Sequence, residues 1–162
     1  MTTDTLPTVR VASRVDLAVL TGLAVAFRDH LGQTTPSPAQ LGASLARLLA
    51  DPSTQFVVAE DGGAALACAQ CRYRYSVWTG APDLELEDLL GAGAAWRRGV
   101  GRRVVEFALA EARGRGCRLA CLATNERNLP ALQLYERLGF SPARARWQGG
   151  RQLWLERPIE AP

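Results

Sequence analysis

Residues 96–103, Trp-Arg-Arg-Gly-Val-Gly-Arg-Arg, form the stretch of sequence that decides the fold. They follow a strand pattern that ends near Leu90, and they run into the first turns of a helix predicted from about Arg98 to Arg113. Gly99 and Gly101 let a ligand approach the backbone closely, and successive N–H groups in such a loop can bind an anion. The following helix adds the positive end of its dipole, and four arginines flank the loop. The stretch predicts a diphosphate site, although glycine and arginine at a helix start also have a purely structural interpretation.

Lysine is absent from the 162-residue chain, and all 19 basic residues are arginines. This excludes enzymes that form a Schiff base on a lysine amine, and it excludes phosphate loops of the Gly-x-x-x-x-Gly-Lys-Ser/Thr type. A Gly-x-Gly-x-x-Gly dinucleotide loop is also excluded, because its third glycine would fall on Val104. The net charge of +3 is too small to indicate nucleic-acid binding by itself.

The single histidine and the four cysteines do not indicate a catalytic or metal centre. A Ser-His-Asp or Cys-His unit would need His30, which lies near a helix end where the dipole favours a cation, and no Gly-x-Ser-x-Gly elbow occurs. Cys68 and Cys71 fall in a strand pattern at an odd offset, so their side chains should point to opposite faces rather than to one zinc ion. We therefore expect free cysteines packed as small core residues at 68, 71, 117 and 121, and no metal.

Hydrophobic periodicity and turn signals predict a single α/β domain with a mixed, mostly antiparallel sheet flanked by helices. A strand at 118–123 is reached through a helix, so it should run parallel to the strand at 84–90. The alternation in that strand breaks at Asp88, which predicts a bulge. The predicted strands cover 9–12, 55–59, 64–75, 84–90 and 118–123, with a hairpin of 143–148 and 152–156; the predicted helices cover 17–31, 38–49, 98–113 and 129–138.

Three motifs in this order resemble the Gcn5-related N-acetyltransferases, the GNAT superfamily. Residues 96–101 are similar to the family's phosphate loop, Gln/Arg-x-x-Gly-x-Gly/Ala, except that Trp96 stands at its first position. Leu86-Glu87-Asp88-Leu89 looks like the strand motif of many members, polyamine acetyltransferases among them. Asn128 to Phe140 is similar to the Asn-x-x-Ala-x-x-x-Tyr…Gly-Phe segment. The sequence departs from the family where residues 91–93, Gly-Ala-Gly, replace a usual Val-x-Pro.

The resemblance implies a GNAT domain over residues 8–162, preceded by a short tail of residues 1–7. In this family acetyl-CoA donates its acetyl group directly to an amine. The strand that carries Glu87 is expected to splay at its bulge, where its backbone would contact the pantetheine, while the loop backbone would take the diphosphate. The implied acetyl-CoA contacts are Leu89, Leu90, Gly91, Arg97, Arg98, Gly99, Val100, Gly101, Arg102 and Asn128.

The resemblance also implies the groups that move protons. Glu87 aligns with a carboxylate that deprotonates the acceptor amine, and Glu85, which shares its face of the strand, is the reserve base. Asp88 is expected on the opposite face unless the bulge turns it. Tyr135 matches the tyrosine that protonates the leaving thiolate. The alternatives remain open: solvated strand charges at 85 and 87, a packed aromatic at 135, and a helix cap at Asn128.

The expected function is that of an acetyl-CoA-dependent N-acetyltransferase (an acyltransferase) acting on a primary amine of a small molecule or peptide. A non-catalytic coenzyme A-binding regulator and an arginine-rich nucleic-acid binder are the alternatives. No nucleic-acid or membrane partner is expected, and dimerisation, although common among relatives, cannot be read from these residues. Because the N-terminus lacks signal-peptide features and no apolar run approaches about 18 residues, we expect a cytoplasmic protein.

Overall fold

The computed structural model describes residues 6–91, 98–143 and 146–160, with the side chains of 146 and 147 left out. Five strands form one sheet in the order β1-β2-β3-β4-β5. The strands are β1 (Thr8–Val11), β2 (Thr54–Asp61), β3 (Ala64–Ser76), β4 (Ala81–Gly91) and β5 (Ala120–Leu122). The helices are α1 (Leu17–His30), α2 (Pro38–Leu49), α3 (Val100–Gly114) and α4 (Leu129–Arg137), with 3₁₀ turns at Arg14–Asp16 and Arg146–Gly149.

The strand pairing confirms the predicted mixed α/β sheet. β1 to β4 pair antiparallel, whereas β5 pairs parallel to β4 after the α3 crossover. The chain divides into two compact units, residues 1–122 and residues 123–162. The first unit holds the whole sheet with α1, α2 and α3, and the second holds α4.

The sheet of the first unit is covered on both faces, because side chains alternate along each strand. On one face, side chains of α1 and α2 form a buried cluster with the sheet; its members are Leu20, Leu23, Leu45, Phe56, Val58, Cys68 and Leu90. On the other face, Gln55 of β2 donates to Glu111 of α3 at 3.0 Å. The guanidinium of Arg115, which follows α3, lies 4.3 Å from the ring centre of Tyr73.

The cysteines of β3 follow the predicted alternation. Cys68 lies in the α1–α2 cluster, whereas Cys71 lies on the opposite face, where Arg115 and Glu111 influence its thiol. Burial raises the pKa of each of these two thiols to about 12, so both stay protonated and unreactive at neutral pH. None of the four cysteines forms a disulfide, and no group of three metal-ligating side chains forms within the described part of the chain.

The helix starts follow the sequence signals. Ser37 caps α2, since its Oγ accepts from the Gln40 N–H at 3.3 Å while its own N–H donates to Gln40 Oε1 at 2.8 Å. Asp16 accepts from the Ser13 N–H at 2.7 Å in the same way ahead of α1. No helix in the described ranges is long and apolar enough to cross a membrane.

The predicted C-terminal hairpin is wrong. Within the described residues, a single antiparallel bridge joins Ala143 to Arg151, and a 3₁₀ turn at Arg146–Gly149 replaces the first strand. Gln148 and Gly149 adopt positive φ values of 58° and 80°, which close a helical turn instead of continuing a strand. An isolated two-stranded hairpin is marginal in water, so alternation alone did not specify it. β5 is also shorter than predicted, with three residues.

Asp16 anchors α1 to the edge of the sheet. It forms a two-fold hydrogen-bonded pair with Arg10 of β1, at 2.8 and 2.9 Å, and Arg10 also pairs with Glu60 of β2 at 2.9 Å. The hydrogen bonds from Arg10 lower the pKa of the buried Asp16 carboxyl from 3.8 to about 2. This interaction therefore stabilises the fold above the unfolded pKa, and the stabilisation is lost as pH falls towards about 2.

We expect Asp16→Asn to reduce the free energy of unfolding at pH 7 by about 2 kcal/mol, from a pKa shift of nearly two units at about 1.4 kcal/mol each. Urea denaturation at pH 7 and pH 3 measures this, and the difference from wild type should shrink at pH 3. The control is Asp29→Asn, because Asp29 is exposed and pairs with its neighbour Arg28; this change should cost less than about 0.5 kcal/mol. Equal losses in both variants would contradict the assignment.

Candidate active site

A β-bulge in β4 shapes the candidate site. Gln70 of β3 pairs with Asp88 and the next residue, Cys71, pairs with Leu86, so Glu87 is the extra residue. The predicted bulge is therefore confirmed, one residue before the position where the alternation breaks. An extra residue switches the side of the sheet to which the following side chains point.

The bulge gathers three carboxylates on one face of the sheet. Asp88 pairs with Gln70, two residues from the Cys68–Leu90 pair of the α1–α2 cluster, so it points to that face. Glu87 accepts from Gln70, and Glu85 pairs with Arg74, which places both on the same side. The expected common face of Glu85 and Glu87 is thus observed. Asp88 joins them because the bulge turns it.

Two of these carboxylates are neutralised by arginines of β3. Glu85 Oε2 lies 2.8 Å from Arg74 Nη2. Glu87 Oε1 lies 3.0 Å from Arg72 Nε in an ion pair without an aligned hydrogen bond. Glu87 Oε2 accepts from Arg72 Nη2 at 3.2 Å and from Gln70 Nε2. Glu87 Oε2 therefore accepts hydrogen bonds from the protein, and Oε1 is held by the charge of Arg72.

Asp88 differs from the two glutamates. It is exposed, and none of the described residues donates a hydrogen bond to it or forms an ion pair with it. Although the residue as a whole is exposed, partial desolvation of its carboxyl raises the pKa above the ordinary value, and the adjacent Glu87 charge raises it further. A carboxyl with a raised pKa holds a proton more readily near neutral pH than an ordinary aspartate does.

The same bulge ends the pairing of β4 with β5. The parallel ladder joins Leu84–Leu86 to Ala120–Leu122, and the rest of β4 has no partner on that side among the described residues. Leu89, Leu90 and Gly91, three of the expected cofactor contacts, lie on this open edge. The Leu90 side chain is buried in the α1–α2 cluster, so this residue offers only its backbone to a ligand.

The helix start at Gly99, called the cradle below, has the backbone features expected of an anion site. Gly99 has φ +69° and a side-chain position that meets nothing within 4 Å. Val100 and Gly101 are buried in the first turn of α3, where backbone N–H groups lack partners within the helix. These free donors and the positive end of the dipole attract a phosphate.

The arginines around the cradle are held by acidic partners. Arg98 Nη2 lies 3.0 Å from Asp61 Oδ2 at the end of β2, and Arg102 Nε lies 2.8 Å from Glu106 Oε1 one turn further along α3. Arg97 and Trp96 lie outside the described residues, as do Ala92 and Gly93. The backbone at 98–102 is therefore the described part of the predicted diphosphate contact.

Asn128 and Tyr135 belong to the second unit. Asn128 caps α4, since its Oδ1 accepts from the Ala131 N–H at 3.4 Å, so the structural alternative for this residue is observed. Tyr135 packs edge to face against Phe140, with ring centres 5.9 Å apart. The Phe140 N–H also donates to the Tyr135 carbonyl at 2.9 Å.

Sequence analysis missed the partners of the β4 carboxylates. Arg72 and Arg74 alternate on β3 as Glu85 and Glu87 alternate on β4, and opposite charges on facing strands are a recognisable cross-strand pattern. Pairing the hairpin from its turn at Gly80 would have predicted these contacts. The same pairing would not have predicted that Asp88 lies on this face without a partner among the described residues, because the bulge shifts the register only beyond Leu86.

Comparisons with known proteins agree with the motifs. A sequence model described as acetyltransferase (GNAT) family matches residues 23–140. A structure of an Arthrobacter sp. FB24 protein assigned as an acetyltransferase superposes with a TM-score of 0.81 at 22% identity, covering 98% of this chain and 99% of the other. An aminoglycoside N-acetyltransferase, AAC(6')-Iy, in complex with CoA gives 0.78 at 17% identity, with 98% and 99% covered.

A transcriptional regulator from Bacillus halodurans C-125 also shares the fold, with a TM-score of 0.72 at 24% identity over 91% of this chain and 99% of the other. No curated protein matches the chain.

The cradle can be tested with glycines at the two ends of α3. Gly99 and Gly116 both adopt a left-handed conformation and both face open space, so alanine strains each backbone by about 1 kcal/mol. We expect Gly99→Ala to weaken coenzyme A binding about 10-fold, equivalent to about 1.4 kcal/mol, because the added methyl occupies the approach to the free N–H groups. Gly116→Ala should bind normally. Calorimetry measures both affinities, and equal affinities would remove the cradle from the site.

Proposed function

The chain belongs to the acetyltransferase (GNAT) family, and from that premise we propose that it is an acetyl-CoA-dependent N-acetyltransferase. The acceptor in this proposal is a primary amine of a small molecule or peptide. One observation supports it most. The ladder of β4 with β5 ends at the bulge that carries the carboxylates, and the next described helix along the chain, α3, begins at Val100 with N–H groups that have no partner within the helix. In the proposal, the acetyl-CoA contacts and the amine contacts thus lie on one continuous segment of chain.

Acetyl-CoA supplies an activated acetyl thioester when bound. In the proposal, the backbone at 98–102 binds its diphosphate, and the open edge at Leu89 to Gly91 hydrogen-bonds its amide-containing arm. The residues suit this substrate, because neither contact requires a lysine. One contact uses the edge of β4 beyond its ladder with β5, and the other uses first-turn N–H groups of α3, which have no partner within the helix. Asn128 is proposed as a further contact in addition to its capping role.

The acceptor amine is mostly protonated at neutral pH and must lose a proton before it can attack the thioester. A carboxylate of the β4 bulge is proposed to take that proton, and the resemblance assigns the role to Glu87 with Glu85 in reserve. Tyr135 is proposed to return a proton to the leaving thiolate. A tyrosine suits this task because its ordinary pKa, about 10, is close to that of a thiol.

The acceptor is described by its chemistry alone. Structural neighbours include aminoglycoside acetyltransferases, which act on amines. At this level of sequence identity, the similarity shows a shared fold and not a shared substrate. No nucleic-acid or membrane partner is part of the proposal. We place the enzyme in the cytoplasm, since its four free cysteines suit a reducing compartment.

Release of the coenzyme A thiol from acetyl-CoA tests the proposal directly. Purified protein is assayed against polyamines, amino acids, aminoglycosides and peptides with free N-termini, and mass spectrometry identifies the acetylated product. At least one amine should be acetylated at a rate that depends on protein concentration.

A non-catalytic coenzyme A-binding regulator is the second candidate. The shared fold of the Bacillus halodurans transcriptional regulator favours it. Micromolar coenzyme A binding without turnover of any amine would support this candidate over the enzyme.

Tyr135→Phe removes one hydroxyl and keeps the ring that packs on Phe140. If protonation of the thiolate limits turnover, kcat should fall on the order of 10²-fold with little change in coenzyme A affinity. Tyr75→Phe is the matched control, since Tyr75 is exposed and its hydroxyl donates to the Gly80 carbonyl at 3.0 Å. A Tyr135→Phe enzyme as active as Tyr75→Phe would reduce Tyr135 to a packing residue.

A further inference from the structure

We propose that Asp88, rather than Glu87, is the catalytic base that takes the proton from the acceptor amine. The inference rests on the proposed function and identifies a further catalytic residue for it. The observation that carries it is the arrangement of the three carboxylates on β4, of which only Asp88 has no partner among the described residues.

The hydrogen bonds of Glu87 oppose its use as a base. Gln70 and Arg72 together engage both of its carboxylate oxygens. An incoming ammonium would have to displace one of these donors, and a protonated Glu87 would leave the half-buried Arg72 without its counterion. Glu85 is likewise engaged by Arg74 at 2.8 Å.

The position of Asp88 suits an acceptor. The residue is exposed, and it follows the point where β4 loses its β5 partner, so its backbone belongs to the open edge proposed to hold the acetyl donor. The bulge points its side chain to the face that carries Arg72 and Arg74. An amine bound at Asp88 would therefore lie beside the same strand segment as the thioester, which the reaction requires.

The groups around Asp88 keep its proton affinity high. Glu87 on the same strand repels its charge, and the adjacent Cys68 thiol is buried and neutral. Arg72 and Arg74 on β3 are committed to Glu87 and Glu85. The titratable residues of α1, which packs on β4, all lie in its last turn; Arg28 and Asp29 pair with each other there, and His30 follows.

The proton balance of the step is simple. The ammonium nitrogen gives one proton to an Asp88 oxygen, and its freed electron pair forms the C–N bond as the C–S bond breaks. The thiolate is protonated by the acid, and the acid recovers its proton from the amide nitrogen. Asp88 then releases one proton to water in each cycle, so the net reaction converts ammonium and thioester to amide, thiol and one proton.

The experiment compares Asp88→Asn with Glu87→Gln, using the amine that the wild-type protein acetylates best. Asp83→Asn is the control, because Asp83 lies on the same strand and accepts from the Thr79 hydroxyl at 2.9 Å, a bond that asparagine retains. Rates are measured from pH 6 to 9 at saturating acetyl-CoA. We expect kcat/KM to fall on the order of 10²- to 10³-fold in Asp88→Asn with loss of the acidic limb, less than 10-fold in Glu87→Gln, and to stay unchanged in the control.

Thermal unfolding gives a second readout. Because the raised pKa of Asp88 makes its charged form unfavourable in the fold, Asp88→Asn should raise Tm by roughly 1–3 °C at pH 8, and the gain should vanish near pH 4. A structural role would instead lower Tm. A more stable, inactive variant is the signature of a functional carboxylate.

Two results would overturn the inference. An active Asp88→Asn enzyme with an intact acidic limb, beside an inactive Glu87→Gln enzyme, would return the role to Glu87. Activity in both variants would mean that the proton leaves to water. Failure of the proposed function is distinguishable, because the wild-type protein would then acetylate no amine at any pH.

Discussion

The extra residue in β4 is the constraint on which the rest of the site depends. Without the bulge at Glu87, strict alternation would place Asp88 on the α3 face and Leu90 outside the α1–α2 cluster. The burial of Leu90 therefore fixes the bulge, and the bulge fixes Asp88. A core contact thus places the Asp88 carboxylate on the α1–α2 face of the sheet, and it does so without a bond to that carboxylate.

The arginines of β3 reduce the negative charge on this face of the sheet. Three carboxylates close together would repel one another, and at least one would take up a proton. Arg72 and Arg74 neutralise two of them across the strand pair, and guanidinium groups suit this because they donate several hydrogen bonds in a fixed plane. What remains is a local negative charge at one position, which matches the single ammonium group of the proposed acceptor.

Much of the fold could be predicted from local signals. Ser37 and Pro38 start α2, and the crossover through α3 made β5 parallel to β4, as both patterns predicted. The prediction of a C-terminal hairpin was wrong because Gln148 adopts a left-handed φ, which interrupts the extended backbone that the alternating pattern requires. Contacts with neighbouring residues decide between these two conformations, and alternation does not report them. The face of the sheet to which Asp88 points also could not be predicted from the sequence. A bulge can be predicted from a broken alternation, but the residue it adds is set by pairing with β3, which is not local.

Arginine supplies the cations of the site that the structure describes. Arginine stays charged at every pH at which the protein is folded, so the cations in the ion pairs of Arg72, Arg74 and Arg98 do not titrate near neutrality. Backbone donors at the start of α3 do not titrate either. The raised pKa of the Asp88 carboxyl moves its change of charge to a higher pH than that of an ordinary aspartate. Binding of the acyl donor should accordingly be insensitive to pH, while proton removal from the acceptor is not, and this difference separates the two halves of the reaction on one continuous segment of chain.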